Sequence, residues 1–98
     1  MKSFDERCYE ALKKVPAGKV TTYQALGRAI KSRAYRAVGT AMAKNPYAPI
    51  VPCHRVIKST GEIGKFGGGT PKKIKMLENE GIIIKNGLVD LDKFSHKF

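Results

Sequence analysis

Thr21-Thr22-Tyr23-Gln24-Ala25-Leu26-Gly27-Arg28-Ala29-Ile30-Lys31-Ser32-Arg33-Ala34-Tyr35-Arg36-Ala37-Val38-Gly39-Thr40-Ala41-Met42-Ala43-Lys44 is the stretch that decides the fold. It opens with a Thr-x-x-Gln box, whose hydroxyl and carboxamide can satisfy free amides at a helix start, and predicts a helix ending near Ile30. Lys31-Ser32-Arg33 reads as a short turn with Ser32 as a cap, and a second helix follows from about Ala34 to Lys44, closed by Asn45-Pro46. A short helix, a tight turn and a second helix give the helix-turn-helix outline. In the second helix Ala34, Ala37, Val38, Ala41 and Met42 fall on one stripe, the face expected to meet the core. The opposite face carries Arg36, Gly39, Thr40 and Ala43. A solvated face is normally Glu, Lys and Gln, and a mid-helix Gly costs about 1 kcal/mol against Ala. This face therefore suits a helix whose backbone must approach something closely, with one long cation projecting from it. The competing reading is that Gly39 packs against a neighbouring helix.

Upstream, Ser3-Phe4-Asp5-Glu6 is a capping box that predicts a first helix running to about Lys14 and stopped by Pro16-Ala17-Gly18. Cys8 shares its apolar side with Phe4, Leu12 and Val15 and is expected to pack as a small hydrophobe. Downstream, Pro46, Pro49 and Pro52 stiffen the segment that leads to Cys53-His54-Arg55. Val56-Ile57, the Ser59-Thr60-Gly61 turn and Ile63 suggest a small hairpin. Gly64-Lys65-Phe66-Gly67-Gly68-Gly69 is a glycine-rich loop around one aromatic ring. Thr70-Pro71 then starts a fourth helix that turns Ile74 and Leu77 inward and ends around Glu80-Gly81. Ile82-Ile83-Ile84, Asn86-Gly87 and Leu88-Val89 read as a second hairpin, followed by a polar tail to Phe98. The expected class is α+β: mainly α with small β elements, around a winged-helix-like, three-helix helix-turn-helix unit.

Ninety-eight residues allow one small domain, and residues 1–98 are expected to form it. The longest apolar run is Ile82-Ile83-Ile84, far short of the ~20 residues of a membrane helix. Asp5, Glu6 and Arg7 stand where a signal peptide would be apolar, so a cytoplasmic protein with no membrane partner is expected. Nineteen Lys and Arg against eight Asp and Glu leave a net charge of +11. From Ala11 to Leu77 there are fourteen basic residues and one acid, Glu62. So long a one-sign stretch implies an anionic partner, of which nucleic acid is the commonest, although small basic domains can also be ribosomal or merely soluble.

Cys53 is the candidate nucleophile. A neighbouring imidazole can take its proton, and positive surroundings favour the thiolate. A carboxylate is the usual third member, orienting the imidazole; Glu62, Glu78 and Glu80 are the candidates, and Glu80 stands out at the end of the fourth helix. Adjacent Cys and His are not zinc-ligand spacing, and neither metal nor cofactor is expected. The glycine loop lacks the Gly-Lys-Ser/Thr continuation of a P-loop, yet its amides and Phe66 could line a pocket for a flat, extrahelical base.

Pro52-Cys53-His54-Arg55-Val56 resembles the active-site motif of the O6-alkylguanine-DNA alkyltransferases, the direct-reversal DNA repair proteins. The resemblance extends through Val15-Pro16-Ala17-Gly18-Lys19-Val20-Thr21-Thr22-Tyr23, through Arg36 to Pro46, through Gly64 to Gly69 and through Leu77-Glu78-Asn79-Glu80-Gly81. These segments occur in order and cover about Phe4 to Ile82.

That resemblance implies a mechanism. The helix carrying Arg36 would enter the minor groove of double-stranded DNA, with Thr22, Ala37, Gly39 and Thr40 also at the DNA. Arg36 would replace the extruded O6-alkylguanine in the stack while Tyr23 pushes on the adjacent phosphate. The base would lie between Val51 and Pro52 on one wall and Phe66, Gly67 and Gly68 on the other. Glu80, His54 and a bridging water would deprotonate Cys53, whose thiolate would take the alkyl group irreversibly, from O6-alkylguanine and also from O4-alkylthymine. Asn45 would brace the turn between helix and active site, and Arg55 would be structural. The protein would act once, as a methylated-DNA–protein-cysteine methyltransferase and as a monomer.

Two departures qualify this. Many members have a further N-terminal domain, whereas Met1 here stands just before the first helix, so a minimal form is expected. Phe66 stands where some members carry Tyr, which removes a hydroxyl that could assist the departing base. Two alternatives remain. An alkyltransferase-like sensor would bind the lesion without repairing it, but such proteins typically replace the cysteine, commonly by Trp. A sequence-reading winged-helix regulator would want Asn, Gln or several Arg on its outer helix face.

Overall fold

The computed structural model describes residues 2–47, 50–63 and 70–98. Its elements in chain order are α1 (Phe4–Leu12), β1 (Thr21–Thr22), α2 (Tyr23–Ala29), α3 (Tyr35–Lys44), a 3-10 turn (Cys53–Arg55), β2 (Val56–Ile57), α4 (Thr70–Asn79), β3 (Ile84–Lys85), β4 (Leu88–Val89) and α5 (Leu91–Phe94). This is the α+β arrangement that the patterning predicts.

The first three helices pack on one another. Ser3 caps α1 by accepting from the Glu6 amide, and Thr22 caps α2 by accepting from the Ala25 amide. The first of these bonds comes from the expected capping box, while Thr21-Thr22 differs from expectation in being a strand, with Thr22 in extended backbone before the helix begins. Helix α3 starts without a side-chain cap. Ser32 accepts instead from the amide of Ala34, which is itself the cap residue. Ala34 is exposed, so the core stripe of α3 begins with the half-buried Ala37 and is centred on Val38, Ala41 and Met42. The Tyr9 hydroxyl donates to the Ala41 carbonyl at 2.9 Å and ties α1 to α3. Between α2 and α3 the close approach requires a glycine: a Cβ on Gly27 would lie 2.9 Å from the Tyr35 ring.

Two cores share one short parallel sheet. Thr21 pairs with Val56 and Thr22 with Ile57. Because successive strand side chains point to opposite faces, Val56 enters the core beneath α1, α2 and α3, and Ile57 enters the second core. The hairpin expected between Val56-Ile57 and Ile63 does not form. The chain does turn there, with the Lys58 amide bonding the Glu62 carbonyl, but Glu62 then bridges to Leu88. The two strands sought as one hairpin are claimed by different partners.

The second core gathers Val20, Ile57, Ile63, Leu77, Ile82, Val89 and Phe94. β3 and β4 form the expected hairpin around Asn86-Gly87, both with positive φ. The residues after it are ordered, not a plain polar tail: Asp90 caps α5, Phe94 is buried, and the Val20 amide bonds the Phe94 carbonyl at 2.8 Å. Among the described residues no helix is long and apolar enough to cross a membrane.

Candidate functional site

The site is assembled from the 3-10 turn, the end of α4 and the first turn of α2. Cys53 begins the 3-10 turn, half-buried against the first core, while His54 beside it is only 3% exposed. Two neighbours on this turn, His54 and Arg55, then meet one carboxylate that lies 25 residues further along the chain. Glu80 Oε2 lies 2.9 Å from His54 Nε2 and accepts from an Arg55 terminal nitrogen at 2.7 Å, and Glu80 Oε1 accepts from Arg55 Nε at 2.9 Å. Arg55 also donates to the Val15 carbonyl at 2.9 Å. Of the three candidate carboxylates, the structure brings Glu80 to the imidazole.

Electrostatics fix the roles. Burial alone would raise the Glu80 carboxyl, but hydrogen bonds from Arg55 and then His54 outweigh it and hold the group below the usual carboxylate range. An ionised carboxylate only accepts, so His54 Nε2 carries the hydrogen, and in the neutral ring Nδ1 is the atom with the lone pair. Nδ1 is buried and has no partner among the described residues. It is a base with an unfilled bond.

The other cysteine contrasts with Cys53. Cys8 is fully buried in the first core, as expected, and burial followed by the charge of Asp5 pushes its thiol up, against a smaller lowering by Arg7. Tyr23, the first residue of α2, is half-buried against the core that receives Cys53; burial and then the Cys53 charge push its phenol up.

The remaining expected residues take up varied positions. The Asn45 side chain donates to the Val51 carbonyl at 2.8 Å and accepts from the Tyr47 amide at 2.9 Å, which locks the chain leaving α3 to the segment entering the 3-10 turn. Val51 is 1% exposed and packs in the first core, with its amide bonded to the Tyr47 carbonyl and its carbonyl accepting from the Cys53 amide as well as from Asn45; Pro52 is buried too. On α3, Arg36 and Thr40 are exposed, Ala37 and Gly39 half-buried, and Thr22 is buried as the cap of α2. A Cβ placed on Gly39 meets nothing within 4 Å, which removes the helix-packing reading of that glycine among the described residues. Phe66, Gly67 and Gly68 lie outside the described residues.

One residue at this site escaped sequence reading. Lys73 is 0% exposed, and its Nζ donates to the Val56 carbonyl at 2.6 Å. Burial pushes its ammonium down to about 8, partly offset by the charge of Cys53. It stands in Lys72-Lys73-Ile74-Lys75, which reads as a solvated basic face, and only its spacing from Leu77, one helical turn on, hints that it points inward.

Fold and cluster together define a class: a basic α+β domain with a helix-turn-helix unit and a cysteine beside a buried His held in a half-buried Glu–Arg pair. The chain matches the family described as 6-O-methylguanine DNA methyltransferase, DNA binding domain, over residues 3–82, and it belongs to that family. It is 42% identical over 83 residues to the methylated-DNA–protein-cysteine methyltransferase of Metallosphaera sedula, a match covering 85% of this chain and 52% of that protein. The chain spans about half the length of the curated methyltransferases of this kind that it matches. Among solved structures, Mycobacterium tuberculosis OGT in complex with DNA superposes with a TM-score of 0.79 at 40% identity, covering 83% of this chain and 50% of that one. S. pombe Atl1, in complex with damaged DNA containing O6-carboxymethylguanine, superposes with a TM-score of 0.86 at 32% identity and covers all of both chains.

Proposed function

We propose that this protein repairs alkylated DNA directly, moving the alkyl group of O6-alkylguanine onto Cys53 in a single, irreversible turnover. The observation that carries this reading is the buried imidazole beside Cys53, its Nε2 engaged by Glu80 and its Nδ1 unfilled. A water between Nδ1 and the sulfur passes the thiol proton to the imidazole. Glu80 steadies the imidazolium that results, and Arg55 keeps Glu80 charged and in place. The thiolate then attacks the alkyl carbon, the C–O6 bond breaks, a thioether forms, and the guanine leaves with its bonding pair and is reprotonated.

The rest of the chain brings the lesion to the sulfur. Helix α3 lies in the minor groove, where its small outer residues let the backbone come close. Arg36 fills the place of the extruded nucleotide, and Tyr23 presses on the neighbouring phosphate. Opening a pair costs a few kcal/mol, less for a weakened pair such as alkylguanine, and the inserted side chain offsets part of the lost stacking. The base is received between Val51 and Pro52 on one wall and the loop of Phe66, Gly67 and Gly68 on the other, and Asn45 couples α3 to this pocket. The protein acts as a monomer in the cytoplasm, and O4-alkylthymine is a second substrate.

A non-catalytic lesion binder is the second reading, favoured by the end-to-end match to Atl1. Incubation with duplex DNA containing O6-methylguanine, followed by intact-protein mass, separates the two. Transfer adds one methylene per chain, and Cys53→Ser abolishes the gain. Tight lesion-selective binding without any mass change would establish the binder and end the repair assignment.

A further inference from the structure

A buried ammonium with no anion beside it is one of the costlier things a small domain can hold. Lys73 is in that position: among the described residues it makes no ion pair, and the Val56 carbonyl takes only one of its three donors. The site's carboxylate is already committed, since Glu80 is engaged by both Arg55 and His54. The Val56 amide in turn donates to the Cys53 carbonyl, so Lys73 is hydrogen-bonded to the residue that closes the 3-10 turn on which Cys53 sits. Helix α4 packs against that same turn.

We propose that Lys73 is a positioning residue for the cysteine chemistry: its buried ammonium is the resident counter-cation of the Cys53 thiolate, anchored by the Val56 carbonyl. The proposal rests on the reading of Cys53 as the nucleophile. Three elements bring charged and titratable groups to the turn that carries the sulfur. Tyr23 on α2 is neutral in the working range, His54 and Arg55 on the 3-10 turn are held by Glu80 at the end of α4, and Lys73 on α4 is left to balance the anion. In a poorly solvated site such a pair is stronger than at the surface, and it raises the fraction of sulfur that is ionised near neutral pH. The two groups titrate as a pair, so each reports on the other.

The test needs no DNA. The rate of Cys53 alkylation by iodoacetamide is measured against pH on the intact chain, read by peptide mass so that Cys8 does not contribute. Lys73→Met, similar in length but uncharged, should lower the rate at pH 7 about tenfold and move the pH–rate midpoint upward. Lys73→Arg should retain the wild-type midpoint. A folded Lys73→Met with an unmoved midpoint, or a Lys73→Arg displaced as far as Lys73→Met, overturns the pairing. Should Lys73→Met fail to fold, Cys53→Ser supplies the reciprocal reading: by linkage the Lys73 titration, followed by NMR of labelled lysine, should move down when the thiolate is removed. A Lys73 titration unchanged in Cys53→Ser overturns the pairing equally. Methyl transfer with an unaltered Lys73→Met profile would refute this inference and leave the repair reading standing. The opposite pattern would refute repair and keep the pair.

Discussion

Glu80 shows how much one side chain can organise. Its carboxylate holds the Arg55 fork and the His54 ring, and through Arg55 it reaches the Val15 carbonyl in the turn that follows α1. Because its folded pKa is depressed, the stabilisation it supplies is complete above the unfolded value near 4.5 and is lost as pH falls through the lower folded value. Glu80→Gln is therefore expected to cost about 2–4 kcal/mol at neutral pH by leaving the mostly buried Arg55 unpaired. The gap between wild type and variant in urea unfolding should narrow as pH falls below about 4.5, and a gap that stays constant down to acid unfolding would contradict the assignment. At this scale the meeting of His54 with Glu80 beside Cys53 was legible as a candidate site, because carboxylates and cysteines are scarce in so basic a chain. Lys73 was not: it is one cation in a run of several, and only the packing of α4 decides which of them is buried.

At the scale of the element, the end of α2 is the instructive case. The Ser32 amide bonds the Gly27 carbonyl and the Lys31 amide bonds the Arg28 carbonyl, the six-to-one and five-to-two bonds of a Schellman motif. Lys31 occupies its left-handed position with φ 59°. The end of α4 closes in the same way, with Ile82 bonding Leu77 and Gly81 bonding Glu78, but there the left-handed residue is a glycine. Gly81 announced its helix end in the sequence; Lys31 gave only a generic turn. Lys31→Gly should stabilise the fold by about 0.5–1 kcal/mol, seen as a raised urea midpoint with unchanged slope. Helix α3 offers the matching test. Since a Cβ on Gly39 meets nothing, Gly39→Ala should gain up to about 1 kcal/mol in thermal or urea unfolding. If that helix face docks on DNA, Gly39→Gln should weaken duplex binding without loss of stability. Equal duplex binding by Gly39→Gln and wild type would mean that the face stays in water.

The whole molecule is a pair of cores hinged on four strand residues. The first core belongs to α1, α2 and α3 and was largely visible as helical periodicity and caps. The second draws residues from Val20 to Phe94, and its closure depends on the last segment, where Phe94 packs inward and Val20 bridges to Ser95. Phe94→Ala should cost about 3 kcal/mol in denaturant unfolding, as for a buried aromatic ring. A loss below about 0.5 kcal/mol, the range of ordinary surface substitutions, would show that this segment is dispensable.

The sequence by itself determined the first four helices, the Asn86-Gly87 hairpin, the basic field and the candidate pair at Cys53-His54. These follow from local rules: cap chemistry, turn residues and apolar spacing act between residues a few positions apart. Tertiary structure alone decided that Val56-Ile57 pairs in parallel with Thr21-Thr22 and not with its own neighbour, that the C-terminal turn seals the second core, and that Lys73 is the cation placed inside. Each of these choices sets partners distant in sequence against local ones, and it is won by the burial and pairing that become available only once the chain has closed on itself.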